Sequence, residues 1–222
     1  MSYQFQPGFI LEKLPELAAG LELTLLVSTI GMAGSVVLGL LIAAGSSERL
    51  PVLDGLGRGY VEVFRNTPLL VQIFFLYFAL PEVGIKLQAF TVAWLALVLW
   101  GAAYQAENFR AGLEAVSRGY REAARALGFG RPLTFAQVVV PIGFRTALPS
   151  VTNVCISILK NSSYMVAISF AELTDTAVDI VSLTFRVFEM FLVIGIIYLG
   201  IAWLMGCGLG AVESRLALGE AR

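Results

Sequence analysis

Three long stretches of the chain carry no charge at all: residues 23–47, 87–106 and 190–212. Each is about the length a helix needs to cross a bilayer, roughly 20 residues. Alternating strand-like patterns are absent, which selects a helical bundle over an outer-membrane barrel. Composition points the same way. Of 222 residues, 58% are hydrophobic and 14% charged, against about 25% charged in a soluble domain. An all-α integral membrane protein follows, read as one domain over residues 1–222. Five spans are expected, at about residues 21–44, 60–80, 90–111, 144–170 and 188–212. The first carries Gly31, Gly34 and Gly39 with Ala33 and Ser35, small faces that let helices approach closely in lipid.

One stretch interrupts this pattern. Residues 118–141, RGYREAARALGFGRPLTFAQVVVP, are polar and basic between apolar segments. Glu122, Ala123, Ala124, Ala126 and Leu127 favour helix, and Gly128 sits where a C-terminal cap would end it. Pro132 is placed to open a second short helix and Pro141 to close it. A compact helical knob outside the bilayer is expected. Glu122 has Arg118 four residues before it and Arg125 three after it, so either can pair with it.

Lys and Arg set the orientation. Arg49 and Arg58 lie in the first link. Arg110, Arg118, Arg121, Arg125, Arg131 and Arg145 lie in or beside the knob, and Arg215 and Arg222 lie in the tail. The opposite side holds only Lys13, Lys86 and Arg186. The knob and the C-terminus are therefore expected in the cytoplasm and the N-terminus outside. The opening MSYQFQPGF lacks the basic region of a secretory signal, so the first span is expected to be retained.

Much chemistry is excluded. The chain has no histidine, which removes histidine bases, His metal ligation and haem ligation. Cys155 and Cys207 lie in apolar segments without metal-like spacing and read as packing residues. No basic cluster with interleaved aromatics suggests nucleic acid, and no phosphate loop or GxSxG elbow is present. The acids Glu172, Asp175 and Asp179 read as a solvated outer loop, or as a dock for a binding protein.

Several motifs carry a family likeness. Glu122-Ala123-Ala124, then Ala126-Leu127-Gly128 and Pro141, resemble the EAA signature of ABC-importer permeases. FRNTPLLVQ (64–72), with the run to Pro81, is similar to the second-span signature of polar amino acid permeases. AENFRAGLEAV (106–116) resembles the third-span exit, and LKNSS (159–163), with residues 168–173, the fourth-span segment. The sequence resembles the histidine, glutamine and glutamate/aspartate permease group, closest in look to its glutamate/aspartate members. The resemblance implies a type I ABC-importer permease fold with five spans and a cytoplasmic coupling helix, in a bacterial inner membrane. It implies an ATPase dimer that binds ATP and Mg, an external solute-binding protein, and a second permease, expected as a heterodimer. This chain itself would hold no cofactor, no metal and no catalytic residue. Glu122, Ala123, Ala124, Ala126, Leu127 and Gly128 would couple to the ATPase.

The substrate path needs polar groups inside the membrane, where ionisable residues are costly and face the bundle interior. The candidates are Arg65, Asn66, Glu107, Arg110, Lys160, Asn161, Ser162 and Ser163. Glu107 and Arg110 share a helix face at i, i+3 and form either a pocket or an internal ion pair. Lys160 to Ser163 break an apolar stretch, which favours a lined cavity over a snorkelling lysine. Lys160, the serines and Glu107 together offer donors and acceptors for a zwitterion, with Arg110 or Arg65 as a second cation for an acidic cargo. Other polar amino acids are the alternative cargo. A secondary transporter would need more spans and related halves, and would leave the knob unexplained.

Overall fold

The computed structural model describes residues 5–47 and 51–216. Arg49 and Arg222, two of the cations used for orientation, lie outside the described residues. The described residues form helices and connecting turns, with no strand among them. In chain order these are α1 (Pro7–Ser47), α2 (Pro51–Asn66), α3 (Leu69–Phe74), α4 (Ala89–Glu114), α5 (Arg118–Ala126), α6 (Arg131–Thr134), α7 (Val140–Asn161), α8 (Leu173–Thr184) and α9 (Val187–Leu216). Four rods are long and apolar enough to cross a membrane: Pro7–Gly45, Ala89–Glu114, Arg131–Ile168 and Val187–Arg215. A bent pair, α2 with α3 and its continuation to Val83, makes the fifth.

The expected span at 60–80 is not straight. It turns by 105° between Asn66 and Leu69. Pro68 has no N–H to offer, and it biases Thr67 away from helix. A break inside an apolar layer leaves carbonyls that lipid cannot satisfy. Gln72 mends this one. Its buried amide Nε2 donates to the carbonyls of Phe64 (3.0 Å) and Thr67 (3.1 Å) and to the Thr67 hydroxyl (3.0 Å). The first span also departs from expectation: α1 begins at Pro7 and runs through Pro15.

α4 is the centre, packed along α1 and α7. Small residues make the approach close. A Cβ added at Gly31 would lie 2.9 Å from Leu97 Cβ, and one at Gly101 would lie 2.8 Å from Ser35 Cβ. At the α4–α7 crossing, a Cβ on Gly112 would run into the carbonyl oxygen of Gly143. Gln105 joins the same two helices, donating to the Val151 carbonyl at 3.2 Å.

The acidic segment 172–179 is not a solvated loop. Residues 173–184 are helix α8, and Glu172 is its buried N-cap. The carboxylate accepts the backbone N–H of Thr174 and Asp175, both at 2.9 Å, the Thr24 hydroxyl of α1 at 3.2 Å and the Tyr198 hydroxyl of α9 at 2.8 Å. Asp175 is buried too, and only Asp179 is exposed. The knot ties three helices at the end of the bundle far from α5.

Two substitutions check this packing. Gly112→Ala should force α4 from α7 and lower stability by about 1–3 kcal/mol, read as the thermal midpoint in detergent. Gly200→Ala, where an added Cβ meets nothing within 4 Å, should leave it in place. Glu172→Ala strips four donors, two of them in buried bonds, of their acceptor and should cost at least about 2 kcal/mol by the same measurement.

Candidate functional site

The knob is α5 with the turn that ends it. Gly128 has φ +86°, a backbone conformation that favours glycine. Its N–H donates to the Arg125 carbonyl at 2.9 Å, and the Phe129 N–H donates to the Ala124 carbonyl at 3.0 Å. This pair of bonds is the Schellman cap. Gly128 therefore ends the helix as the sequence indicates. Pro141 does not close the second short helix. It sits in the first turn of α7, on a rod that continues from α6 through a π-helical turn, Phe135–Val139.

Faces of α5 divide cleanly. Ala124 is buried and Arg121 half-buried, while Glu122, Ala123 and Ala126 are exposed. Tyr120 and Leu127 are 53% and 78% exposed. Tyr120, Ala123 and Leu127 follow an i, i+3, i+7 pattern and so share one outward face. Glu122 makes no ion pair or hydrogen bond among the described residues. The expected pairing with Arg118 or Arg125 is not formed, because all three side chains point into open surroundings.

Beside the knob lies a charged cluster. Arg110 grips Glu107 with two nitrogens, at 3.1 and 2.7 Å, and reaches Glu114 at 3.0 Å. Arg65 of α2 approaches the same Glu107 at 3.5 Å, its guanidinium 5.2 Å from the centroid of the Tyr104 ring. Glu107 and Arg110 thus form the expected ion pair, and both also face the cavity beside it. Asn66 is exposed at the end of α2. A cavity of about 530 Å³ opens here, lined in part by Asp54, Arg58, Glu107, Arg110, Glu114 and Arg121.

Lys160 lies elsewhere. Gln105 reaches Val151, and Gly101 abuts Ile158, so Glu107 stands level with a point near residue 150 of α7. Ten residues of helix separate that level from Lys160, about 15 Å. Lys160 and Glu107 therefore do not embrace one small zwitterion. The Lys160–Ser163 cluster is itself split. Lys160 is exposed and Asn161 half-buried. Ser162 is buried, its hydroxyl turned back on the Leu159 carbonyl at 2.7 Å, and the Ser163 hydroxyl binds the Lys160 carbonyl at 2.8 Å.

Lys160 belongs instead to a stripe. Thr146, Ser150, Asn153, Ser157, Lys160 and Tyr164 recur every three or four residues along one face of α7 and the turn after it. Ser157 is half-exposed and the rest are exposed. The stripe runs for about 27 Å at the helical rise, nearly the thickness of a bilayer's hydrocarbon core. Thr146 and Ser157 bond their own helix carbonyls. The side chains of Asn153 and Lys160 find no hydrogen-bond or ionic partner among the described residues. The spacing is legible in the sequence, but the four residues from Thr146 to Ser157 are masked there by the apolar residues between them.

Residues 35–218 match the family described as the binding-protein-dependent transport system inner membrane component. The chain is 36% identical over 200 residues to a probable amino-acid ABC transporter permease protein, PatM, of Vibrio harveyi, covering 89% of this chain and 90% of that one. It is 32% identical over 217 residues to the glutamine transport system permease protein GlnP of Escherichia coli strain K12, covering 97% and 99%. Among solved structures, it is similar to a chain from the crystal structure of an amino acid ABC transporter with histidines. The TM-score is 0.89 at 34% identity, over 97% of this chain and 100% of that one.

The stripe makes a checkable pattern. In a chain with Cys155→Ser and Cys207→Ser, single cysteines at positions 146, 150, 153, 157 and 160 should react in membranes with a water-soluble maleimide. Cysteine at position 162 should not. Labelling at the ends of the series alone would show that lipid, not water, covers the stripe.

Proposed function

We propose, starting from the fact that the chain belongs to the binding-protein-dependent transport system inner membrane component family, that its α7 stripe lines the path of a polar amino acid. The chain is the permease subunit of an ATP-driven amino acid importer, and ATP hydrolysis resides in a separate subunit. The observation that carries the path is the stripe itself. A row of polar side chains with an unpaired lysine is costly against lipid. It lies on the outside of this chain, so another surface must cover it. A second permease chain, a copy or the sister chain expected from the sequence, supplies that surface, and the path runs between the two.

The cargo reading follows from charge. The stripe carries an exposed cation, Lys160, and no Asp or Glu occurs between residues 140 and 171. A cation with no carboxylate beside it in sequence suits the extra carboxylate of an acidic cargo, glutamate or aspartate. Glutamine is the second reading, favoured by the names of similar permeases. The knob supplies the other half of the mechanism. Its outward face of Tyr120, Ala123 and Leu127, rimmed by Arg118, Glu122 and Arg125, is exposed and apolar enough to seat in a groove of the ATPase. Ala124 and Gly128 shape the knob. ATP and Mg are bound by the ATPase, whose closure moves the knobs and switches the spans between two access states. The basic knob side is cytoplasmic, and the binding protein delivers cargo at the opposite end.

The test is uptake by the assembled complex in proteoliposomes, with binding protein outside and ATP inside. Uptake of labelled glutamate should need both. Lys160→Ala should slow it about tenfold, the scale of one hydrogen bond to a charged group. Uptake driven by a proton or sodium gradient without ATP, or undiminished by Lys160→Ala, would refute the reading.

A further inference from the structure

We infer that Arg121 is a positioning residue that carries movement of the knob into α4, a role that rests on the coupling function proposed above. The helix α5 is short and mostly exposed. Two inward groups hold it to the rest of the chain. Ala124 packs in the interior beside the π-helical turn at 135–139. Arg121 makes the polar link, its Nη2 donating to the Leu113 carbonyl at 3.0 Å.

Leu113 lies in the last turn of α4, where helix carbonyls lack partners within the helix. That turn contains no basic residue of its own. A cation brought from outside satisfies the carbonyl and the negative end of the helix dipole together. Arg121 thus grips α4 by its backbone, not by a side chain that can rotate away. From there α4 continues rigidly to Arg110 and Glu107, and Glu107 reaches Arg65 of α2. Displacement of α5 through Arg121 is felt at the end of α4, and through Glu107 at the bent pair. A fixed planar guanidinium transmits such a pull with less play than a flexible ammonium.

A structural cap alone would stabilise α4 without changing how ATP use relates to transport. The measurement is therefore the number of ATP molecules hydrolysed per cargo molecule, in the complete importer in proteoliposomes, for Arg121→Ala, Arg121→Lys and Leu127→Asp. Arg121→Ala should keep binding-protein-stimulated hydrolysis within about twofold and lose uptake about tenfold, raising the ratio by a similar factor. Arg121→Lys, which keeps a charged donor, should recover part of the lost uptake. A wild-type ratio in Arg121→Ala overturns the inference. So does a parallel fall of hydrolysis and uptake that leaves the ratio unchanged, which marks a cap and nothing more. Leu127→Asp reports on the coupling function itself. If it leaves ATPase attachment and uptake normal, the knob does not couple. If it uncouples the importer while Arg121→Ala does not, the knob couples and only the role of Arg121 fails.

Discussion

In a bilayer no water is at hand to satisfy a polar group, and the rest of this structure follows from that constraint. A helix break must be mended from within, and Gln72 mends the one at Pro68 with an amide whose two N–H groups serve two carbonyls and a hydroxyl. A buried carboxylate must be surrounded by donors, and Glu172 has four. A polar row on the surface must be covered by something other than lipid. The first two demands are met inside the chain. The third is met by the transporter assembly, in the arrangement proposed for the α7 stripe.

The same constraint separates the scaffold from the working parts. α1, α4 and α7 approach through glycines whose added Cβ would strike a neighbour, and their interface is close. By contrast, the outward faces of α5 and α7 are polar or mixed and carry few partners. Both the charged cluster around Glu107 and the Arg121 link sit between scaffold and knob, where a rigid body meets the element that is expected to move.

Much of this was legible in the sequence. Uncharged runs give the rods, and Gly128 gives the end of α5, because each depends on local composition or on one backbone conformation. The four motifs in order give the family. What was hidden depends on tertiary partners. Pro68 marks a bend, but its angle of 105° reflects where Gln72 and the neighbouring helices hold the two halves. Segment 172–179 reads as a loop because acids are usually solvated, yet Glu172 finds Thr24 and Tyr198 from helices remote in sequence. Pro141 looks like a stop, yet the rod runs on through it, with the π-helical turn Phe135–Val139 placed just before it. The candidate path residues divide for a similar reason. Sequence places Lys160 and Glu107 in neighbouring spans, whereas only the α4–α7 register shows them about 15 Å apart.

The central claim is that the α7 stripe faces a second permease chain across an aqueous gap. Cross-linking between cysteines placed at Asn153 in this chain and at the facing α7 of the second permease tests it most directly. A flexible bifunctional reagent of graded spacer length should join the two chains in native membranes, with the effective length changing when ATP is added. Absence of any inter-chain product at every length, with efficient reaction of the same cysteine toward a lipid-soluble reagent, would contradict the account.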